Sequence, residues 1–212
     1  MIRATVVGDW RRKHRAEGMV ERGACVQLRE LAAAVPAGLA VVELGAFRGR
    51  SAGWLLLGAQ DGHGAHVTSV DPWESRTDDY SCHSPRYTNS WDAFQDHLRR
   101  IGATPAEHTA VKATAVQAAE EWSGPQVGLL YHDAEHTADA VAQDLEAWLP
   151  HLSSAAVVAL HDACDPRMDV VAGAERVLGG DGWDWAGREL LPWRRRPNRL
   201  GLLIVRRNGR PA

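Results

Sequence analysis

The sequence predicts an α/β fold, a mostly parallel sheet with helices on both faces. Between residues 37 and 162, short apolar runs alternate with stretches of helical length, and strands separated by helices pair in parallel through crossovers. After residue 180 the alternation stops. Two strand-like runs follow there with only a turn between them, so they need no crossover helix and at least one can run antiparallel.

The elements follow in order. Residues 1–36 are expected as a helical N-terminal extension. "AGLAVVELG" (37–45) reads as the first strand and "RSAGWLLLGAQ" (50–60) as its helix. "AHVTSVD" (65–71) is the second strand. "SWDAFQDHLRRIG" (90–102) is an amphipathic helix with Ser90 as its expected N-cap and Gly102 as its stop. "EHTAVK" (107–112) is the third strand and "TAVQAAEEW" (114–122) a helix. "QVGLLYHD" (126–133) is the fourth strand, "AEHTADAVAQDLEAWLPHL" (134–152) a long helix, and "AAVVALHD" (155–162) the fifth strand. "WDWAGREL" and "NRLGLLIVRR" are the two final strands, joined by "LPWRRRPN". The longest irregular stretch is 72–89. It leaves the second strand beside the carboxyl edge of the sheet, and loops of that length in compact domains are commonly functional, so it is read as an active-site loop. No repeat or low-complexity linker divides the 212 residues, which fits one domain over 1–212.

Composition narrows the function. Apolar residues make up 45%, enough for a sizeable core, and the formal net charge of −3 carries no overall footprint for nucleic acid. No apolar stretch approaches the roughly 20 residues of a membrane span, and the N-terminus lacks a signal-peptide core. Cys25, Cys82 and Cys164 are odd in number and share no ligand-like spacing, which suits a reducing cytoplasmic setting. Lysine occurs only at Lys13 and Lys112 while arginine and alanine abound, a pattern of GC-rich coding rather than of chemistry.

In open α/β sheets, ligands bind at the carboxyl ends of strands near the switch point. "VVELGAFRGRSA" (41–52) occupies that position. Gly45 permits a tight turn, and Gly49 lets the next helix start close to the strand. Amides at that helix start favour a carboxylate or phosphate, and Ser51 adds a hydroxyl. Glu43 can accept from a cationic amine, and Asp71, closing the second strand, can hold both hydroxyls of a ribose. The glycine spacing alone is a weak signal. With the two acids it suits a ligand that has an amino-acid end and a ribose, and S-adenosyl-L-methionine is such a ligand.

"VELGAFRGRSA" resembles the first motif of class I S-adenosylmethionine-dependent methyltransferases, especially the catechol O-methyltransferase-like group. "HDAEHT…LHD" resembles the bacterial branch that methylates sugars and natural-product glycosides, including the small methyltransferases of mycobacterial polymethylated mannose polysaccharides. The resemblance covers roughly 38–165. It implies a Rossmann-like seven-stranded sheet whose last strand is antiparallel. It places Glu43, Gly45, Gly49 and Ser51 around the methionine part, Asp71 at the ribose, and Ala113 and Thr114 beside the adenine. The expected reaction is methylation of a sugar hydroxyl, either of a mannoside of such a polysaccharide or of a glycosylated natural product. The partner is a small sugar or oligosaccharide, with no nucleic acid and no membrane, and the oligomeric state is left open, a homodimer included.

The fourth and fifth strands both end in "HD", at 132–133 and 161–162. Adjacent parallel strands bring Asp133 and Asp162 together, and two carboxylates that close need a cation or a shared proton. Oxygen ligands at strand ends suit Mg²⁺ or a similar divalent ion, able to bind the acceptor hydroxyl and lower its pKa. In catechol-type enzymes the position of His136 carries the base that takes the acceptor proton, so the resemblance makes His136 and Asp133 the catalytic residues. Histidine's unperturbed pKa of about 6.5 suits that work. The sequence departs from the family at Ala163, where a second oxygen ligand is usual, and Glu135, His161 or Asp165 are the candidates to replace it.

Other features have plainer readings. Asp139 and Glu135 suit the first turn of a helix, His132 a satisfied core histidine, and Trp54 and Trp148 the core. Trp73 and Trp91 are read either as stacking on a ligand or as anchoring the long loop by packing. "RRKHR" (11–15) and "RRR" (194–196) are read as solvated basic faces that can also attract an anionic acceptor. Three rival functions fit less of the sequence. A nucleotide-dependent oxidoreductase conflicts with the glycine spacing, a non-catalytic cofactor-binding module has no use for His136 beside two acids, and a metal hydrolase leaves the first-strand motif unexplained.

Overall fold

The structure is a computed structural model and describes residues 17–73, 89–165, 167–185 and 202–208. Helix α1 (Arg22–Ala33) precedes β1 (Ala40–Leu44), α2 (Arg50–Asp61), β2 (Val67–Val70), α3 (Ser90–Ile101), β3 (His108–Val111) and α4 (Ala115–Glu120). Then come β4 (Val127–His132), α5 (Ala138–Trp148), β5 (Leu152–Leu160), α6 (Val170–Leu178), β6 (Trp183–Asp184) and β7 (Leu203–Arg207). The strands form one seven-stranded sheet in the order β3-β2-β1-β4-β5-β7-β6. β1 to β5 are parallel, while β7 runs antiparallel to both β5 and β6. The order reverses between β1 and β4, which makes their carboxyl ends the switch point. This is the Rossmann-like architecture the sequence implies. Among the described residues no helix is long and apolar enough to cross a membrane.

Alternation along the strands builds a core on each face. Val42, Leu44, Leu130, Val158 and Leu160 face α4, α5 and α6, where Ala118, Leu145, Trp148 and Leu178 meet them. Val41, Leu129, Tyr131 and Ala159 face α1 and α2, against Leu28, Leu31, Leu55 and Ala59. Helix α2 buries Ala52, Leu55, Leu56 and Ala59, the spacing of one helical stripe. Each fully buried leucine in these layers stabilises the fold by about 1.5–3 kcal/mol.

Several element boundaries differ from the sequence reading. Asn89, in the left-handed region at φ 62, is the N-cap of α3, and Ser90 is the first helical residue. The long helix expected over 134–152 is shorter at both ends. It starts only after Thr137, whose Oγ1 accepts from the Ala140 amide, and it gives way at Leu149–His151 to a 3₁₀ turn containing Pro150. Proline has no amide to continue the ladder. His136 therefore sits in the turn before α5, not in its first turn. Strand β5 begins at Leu152 rather than 155, and its register shifts from Val127↔Leu152 to Leu129↔Val157, so residues 153–156 form a bulge between the two pairings. Most of the 72–89 loop, the 11–15 and 194–196 basic runs, Cys82, and most of "WDWAGREL" and its following turn lie outside the described residues.

Helices α1 and α2 pack at backbone contact. A Cβ on Gly58 would lie 2.2 Å from the Arg29 carbonyl oxygen and 2.8 Å from the Ala32 Cβ. Alanine is the better helix former by about 1 kcal/mol, but overpacking a tight contact costs about 1–3 kcal/mol or more. Gly58→Ala is therefore expected to lower stability despite its helix propensity. Urea unfolding checks this, and an unchanged or higher midpoint would mean that α1 moves away at no cost.

Candidate functional site

The loop after β1 is held by the residue that closes β2. Asp71 Oδ2 accepts from the amides of Ala46 (2.9 Å) and Phe47 (2.8 Å), and its Oδ1 accepts from the amide of Trp73 (2.6 Å). The Trp73 indole donates to the Phe47 carbonyl at 2.8 Å. Phe47 and Trp73 both sit at φ 47, backbone strain that this bonding holds in place. Burial raises the Asp71 pKa, and the three amides oppose it. Since a carboxylate offers about four lone-pair sites, Asp71 braces the turn and retains room for one hydroxyl. Gly45 has φ 85, and a Cβ there would lie 2.1 Å from the Asp133 carbonyl oxygen. Gly49, at φ 84, is the N-cap of α2, with buried Ser51 in the first turn.

Glu43 is completely buried on β1. Ser69 Oγ donates to its Oε2 at 2.5 Å, His108 Nε2 lies 3.0 Å from that same hydroxyl, and Glu43 Oε1 is left without a hydrogen-bond partner. Burial pushes the Glu43 carboxyl up to about 8, tempered by the hydroxyls of Ser51 and Ser69 and reinforced by Asp133 and Asp71. At the tip of β3, Thr114 caps α4. Its Oγ1 accepts from the Gln117 amide and its own amide donates to Gln117 Oε1, while Ala113 packs against the core. Trp73, Trp91 and Phe94 pack on one another, with Trp73 and Trp91 4.6 Å apart edge to face and the Lys112 ammonium 5.1 Å over Trp91.

The second half of the site lies at the tips of β4 and β5. The Asp133 amide donates to the Leu44 carbonyl at 2.8 Å, and the His161 amide to that of His132 at 2.9 Å, which sets the two HD pairs side by side. Tyr131 Oη donates to Asp133 Oδ2 at 3.0 Å. His136 Nε2 lies 3.1 Å from Asp162 Oδ2 and 3.9 Å from Asp133 Oδ1. His161 Nδ1 lies 3.1 Å from Asp133 Oδ1 and 3.4 Å from Asp162 Oδ2, and its Nε2 is 3.0 Å from Glu21 Oε2. Asp162 sits at φ 56, a left-handed conformation uncommon outside glycine, Asn and Asp. Asp133, His136 and Asp162 each present one ligand atom within 4.8 Å of the others. Of the buried polar atoms here, His136 Nε2 and His161 Nδ1 meet only the carboxylates, and Asp162 Oδ1 has no hydrogen-bond partner. Two converging carboxylates, one with an unpartnered oxygen, are a donor set that fits a divalent cation.

Electrostatics follow from the crowding. Burial pulls His136 down, but Asp133 and Asp162 outweigh it and carry it up to about 10. Burial works against ionising Asp133 and Asp162, yet the two imidazoles hold both below the usual carboxylate range. His161 is likewise raised by its carboxylate neighbours against its own burial.

The structure thus brings Asp133, His136 and Asp162 together, and Gly45 joins them to the first-strand turn. Of the candidates to stand in for a ligand at Ala163, His161 reaches the carboxylates, while Asp165 is taken by the Arg167 guanidinium and amide. His132 is a satisfied core histidine, 3.0 Å from Asp144. Asp139, in the first turn of α5, pairs with Arg176. Tyr131 and Glu21 were not anticipated. Strand alternation puts Tyr131 on the face of Asp133 and could have flagged it, whereas nothing local points to Glu21.

The raised pKa of Glu43 makes a stability prediction. The acid titrates near 4.5 when unfolded and about 8 when folded, so the folded state increasingly resists its ionisation as pH rises between those values, and stability falls across that window. Glu43→Gln keeps a partner for Ser69 and removes the titration. In the absence of ligand the variant is expected to melt above wild type at pH 8–9, by on the order of a few kcal/mol, and with a flatter pH dependence. Parallel melting curves from pH 4.5 to 8 would show that Glu43 ionises freely.

A methyltransferase-domain family model matches residues 42–163, which include the first-strand motif and both HD tips. No curated protein is significantly similar in sequence. Among solved structures, cofactor-bound Rv0187 from MTB shares 15% identity, with 98% of this chain and 89% of that one covered at a TM-score of 0.64. CalS11, a TDP-rhamnose 3'-O-methyltransferase of calicheamicin biosynthesis, shares 18% identity, with 97% and 81% covered at a TM-score of 0.59. An O-methyltransferase from Bacillus cereus in complex with SAH shares 13% identity, with 96% and 89% covered at a TM-score of 0.62. At these identities the structures speak for a shared fold, and the family match spans more than half of the chain. With a braced glycine turn on β1 and an ionisable cluster against it, the chain belongs to the methyltransferase-domain family and is an S-adenosylmethionine-dependent methyltransferase.

Proposed function

We propose that the enzyme methylates a sugar hydroxyl, with His136 as the base and a divalent cation, Mg²⁺ or similar, held by Asp133 and Asp162. The observation that carries this reading is the convergence of Asp133, His136 and Asp162 against the Gly45 turn. A cofactor-binding loop alone needs no such cluster. Bound at the site, S-adenosylmethionine supplies an electrophilic methyl, and the cation supplies Lewis-acid contact to the acceptor oxygen. Gly45, Gly49 and Ser51 shape the pocket for the methionine end, and the unpartnered Oε1 of Glu43 is available to its ammonium. Asp71 keeps one acceptor site for the ribose, and Ala113 with Thr114 edges the pocket where β3 ends.

An alcohol acceptor is a weak nucleophile until it loses its proton, and His136 is placed to take that proton as the new carbon–oxygen bond forms. Held by two carboxylates it keeps its own proton to about pH 10. It acts as a base at neutral pH only when those carboxylates are otherwise engaged, which ties the base to the cation. The likeness to CalS11, which acts on TDP-rhamnose, supports a sugar acceptor at the level of fold. The acceptor we put first is a mannoside of a polymethylated polysaccharide, and a glycosylated natural product is the alternative; the HD motifs are shared by both.

Three measurements test this. Transfer of labelled methyl to a panel of mannosides, a TDP-deoxysugar and a catechol is expected to favour a sugar; transfer to the catechol alone would remove the sugar reading. His136→Ala is expected to lower turnover by about 10²–10⁴ with S-adenosylhomocysteine affinity nearly intact, and equal loss of both would give His136 a structural role instead. EDTA is expected to reduce turnover at neutral pH and to move the rise of the pH–rate profile toward alkaline pH, because the free carboxylates then hold the His136 proton. An unchanged profile after full chelation would take the cation out of the mechanism.

A further inference from the structure

We infer that Glu21 and His161 form a positioning relay that fixes Asp133 and Asp162 for the cation; the inference rests on the cation reading above. Glu21 stands at the N-cap of α1 but makes no capping bond to the helix. Its carboxylate instead points away to the strand tips, with Oε2 3.0 Å from His161 Nε2. Val20, Ala24 and Cys25 form a buried cluster packed against Trp54, so the start of α1 is anchored rather than free. His161 is 2% exposed. The Glu21 carboxylate accepts from Nε2–H and so orients the ring with Nδ1 toward Asp133 and Asp162, where the Nδ1–H of the doubly protonated ring donates to them. Asp133 is then gripped on both oxygens, with Tyr131 Oη at Oδ2 and His161 beside Oδ1.

The relay spans 140 residues of sequence and joins the N-terminal helix to the tips of β4 and β5. In metal sites, outer partners of this kind hold the inner groups in place, and their loss typically costs about 10–100-fold in metal affinity. Glu21 contacts no inner carboxylate itself and so acts only through His161.

Mn²⁺ titration of the full chain, followed by calorimetry or by the free-ion electron paramagnetic resonance signal, tests the relay alongside S-adenosylhomocysteine binding. Glu21→Ala is expected to weaken Mn²⁺ by about 10–100-fold and leave S-adenosylhomocysteine affinity within about twofold. Glu21→Gln, whose amide oxygen accepts the same N–H, is expected to recover most of that loss. Wild-type affinity for Mn²⁺ in Glu21→Ala overturns the relay, as does a Gln variant no better than Ala, or a parallel loss of S-adenosylhomocysteine binding. Should Glu21→Ala melt out in EDTA, Glu21→Asp is read in its place, since it keeps the charge but falls short of the ring; undiminished Mn²⁺ affinity there also overturns the relay. A wild-type protein that binds no Mn²⁺ removes the cation reading and the relay with it, whereas normal wild-type binding with unaffected variants removes the relay alone.

Discussion

One hydrogen bond beyond the regular ladder, from the Asp133 amide to the Leu44 carbonyl, joins the last turns of β1 and β4 where the sheet reverses its order. The rest of the site depends on it. It presses the chain after β1 against the chain after β4, so closely that residue 45 has no space for a side chain. The cofactor turn and the ionisable tip are therefore neighbours by construction of the sheet. On the proposed reading, a methyl donor at the first would be within reach of an acceptor at the second, and proximity of that kind is much of what a transfer enzyme supplies.

The same closeness concentrates buried charge. Asp133 and Asp71 raise the cost of ionising Glu43, and Asp133 raises that of Asp71 and Asp162, while His136 and His161 offset it only at Asp133 and Asp162. Glu43 has hydroxyls and a histidine beside it but no cation. The ligand-free fold thus carries an unbalanced acid on its central strand, an expense consistent with a site completed by a positively charged ligand group.

Much of this was legible in the sequence for a physical reason. Strands buried on both faces must be short and apolar, so β1 to β5 stood out by composition, and their last residues, being polar, marked the edge where ligands bind. Acids at 133 and 162 had to meet once the two strands were adjacent. Other features depended on contacts between distant segments. Glu21 has no local signature because its partner lies on β5. Asp71 reads as a ligand-holding acid, yet its three amide bonds come from the folded turn beside it. Thr137 looked like the interior of a helix that its own hydroxyl in fact begins, and the bulge in β5 is a matter of register with β4, which no single run of residues encodes.

The left-handed backbone at Asp162 has a consequence for how this site can vary. At φ 56 the chain turns sharply off β5, and among residues with side chains only Asn and Asp visit that region readily. Two unrelated filters therefore act on one position: the turn admits glycine, asparagine or aspartate, and the proposed cation asks for a negative oxygen. Aspartate alone passes both. The fold has narrowed the alphabet at this site before catalysis selects from it, and asparagine is the one replacement that separates the shape of the turn from the charge it carries.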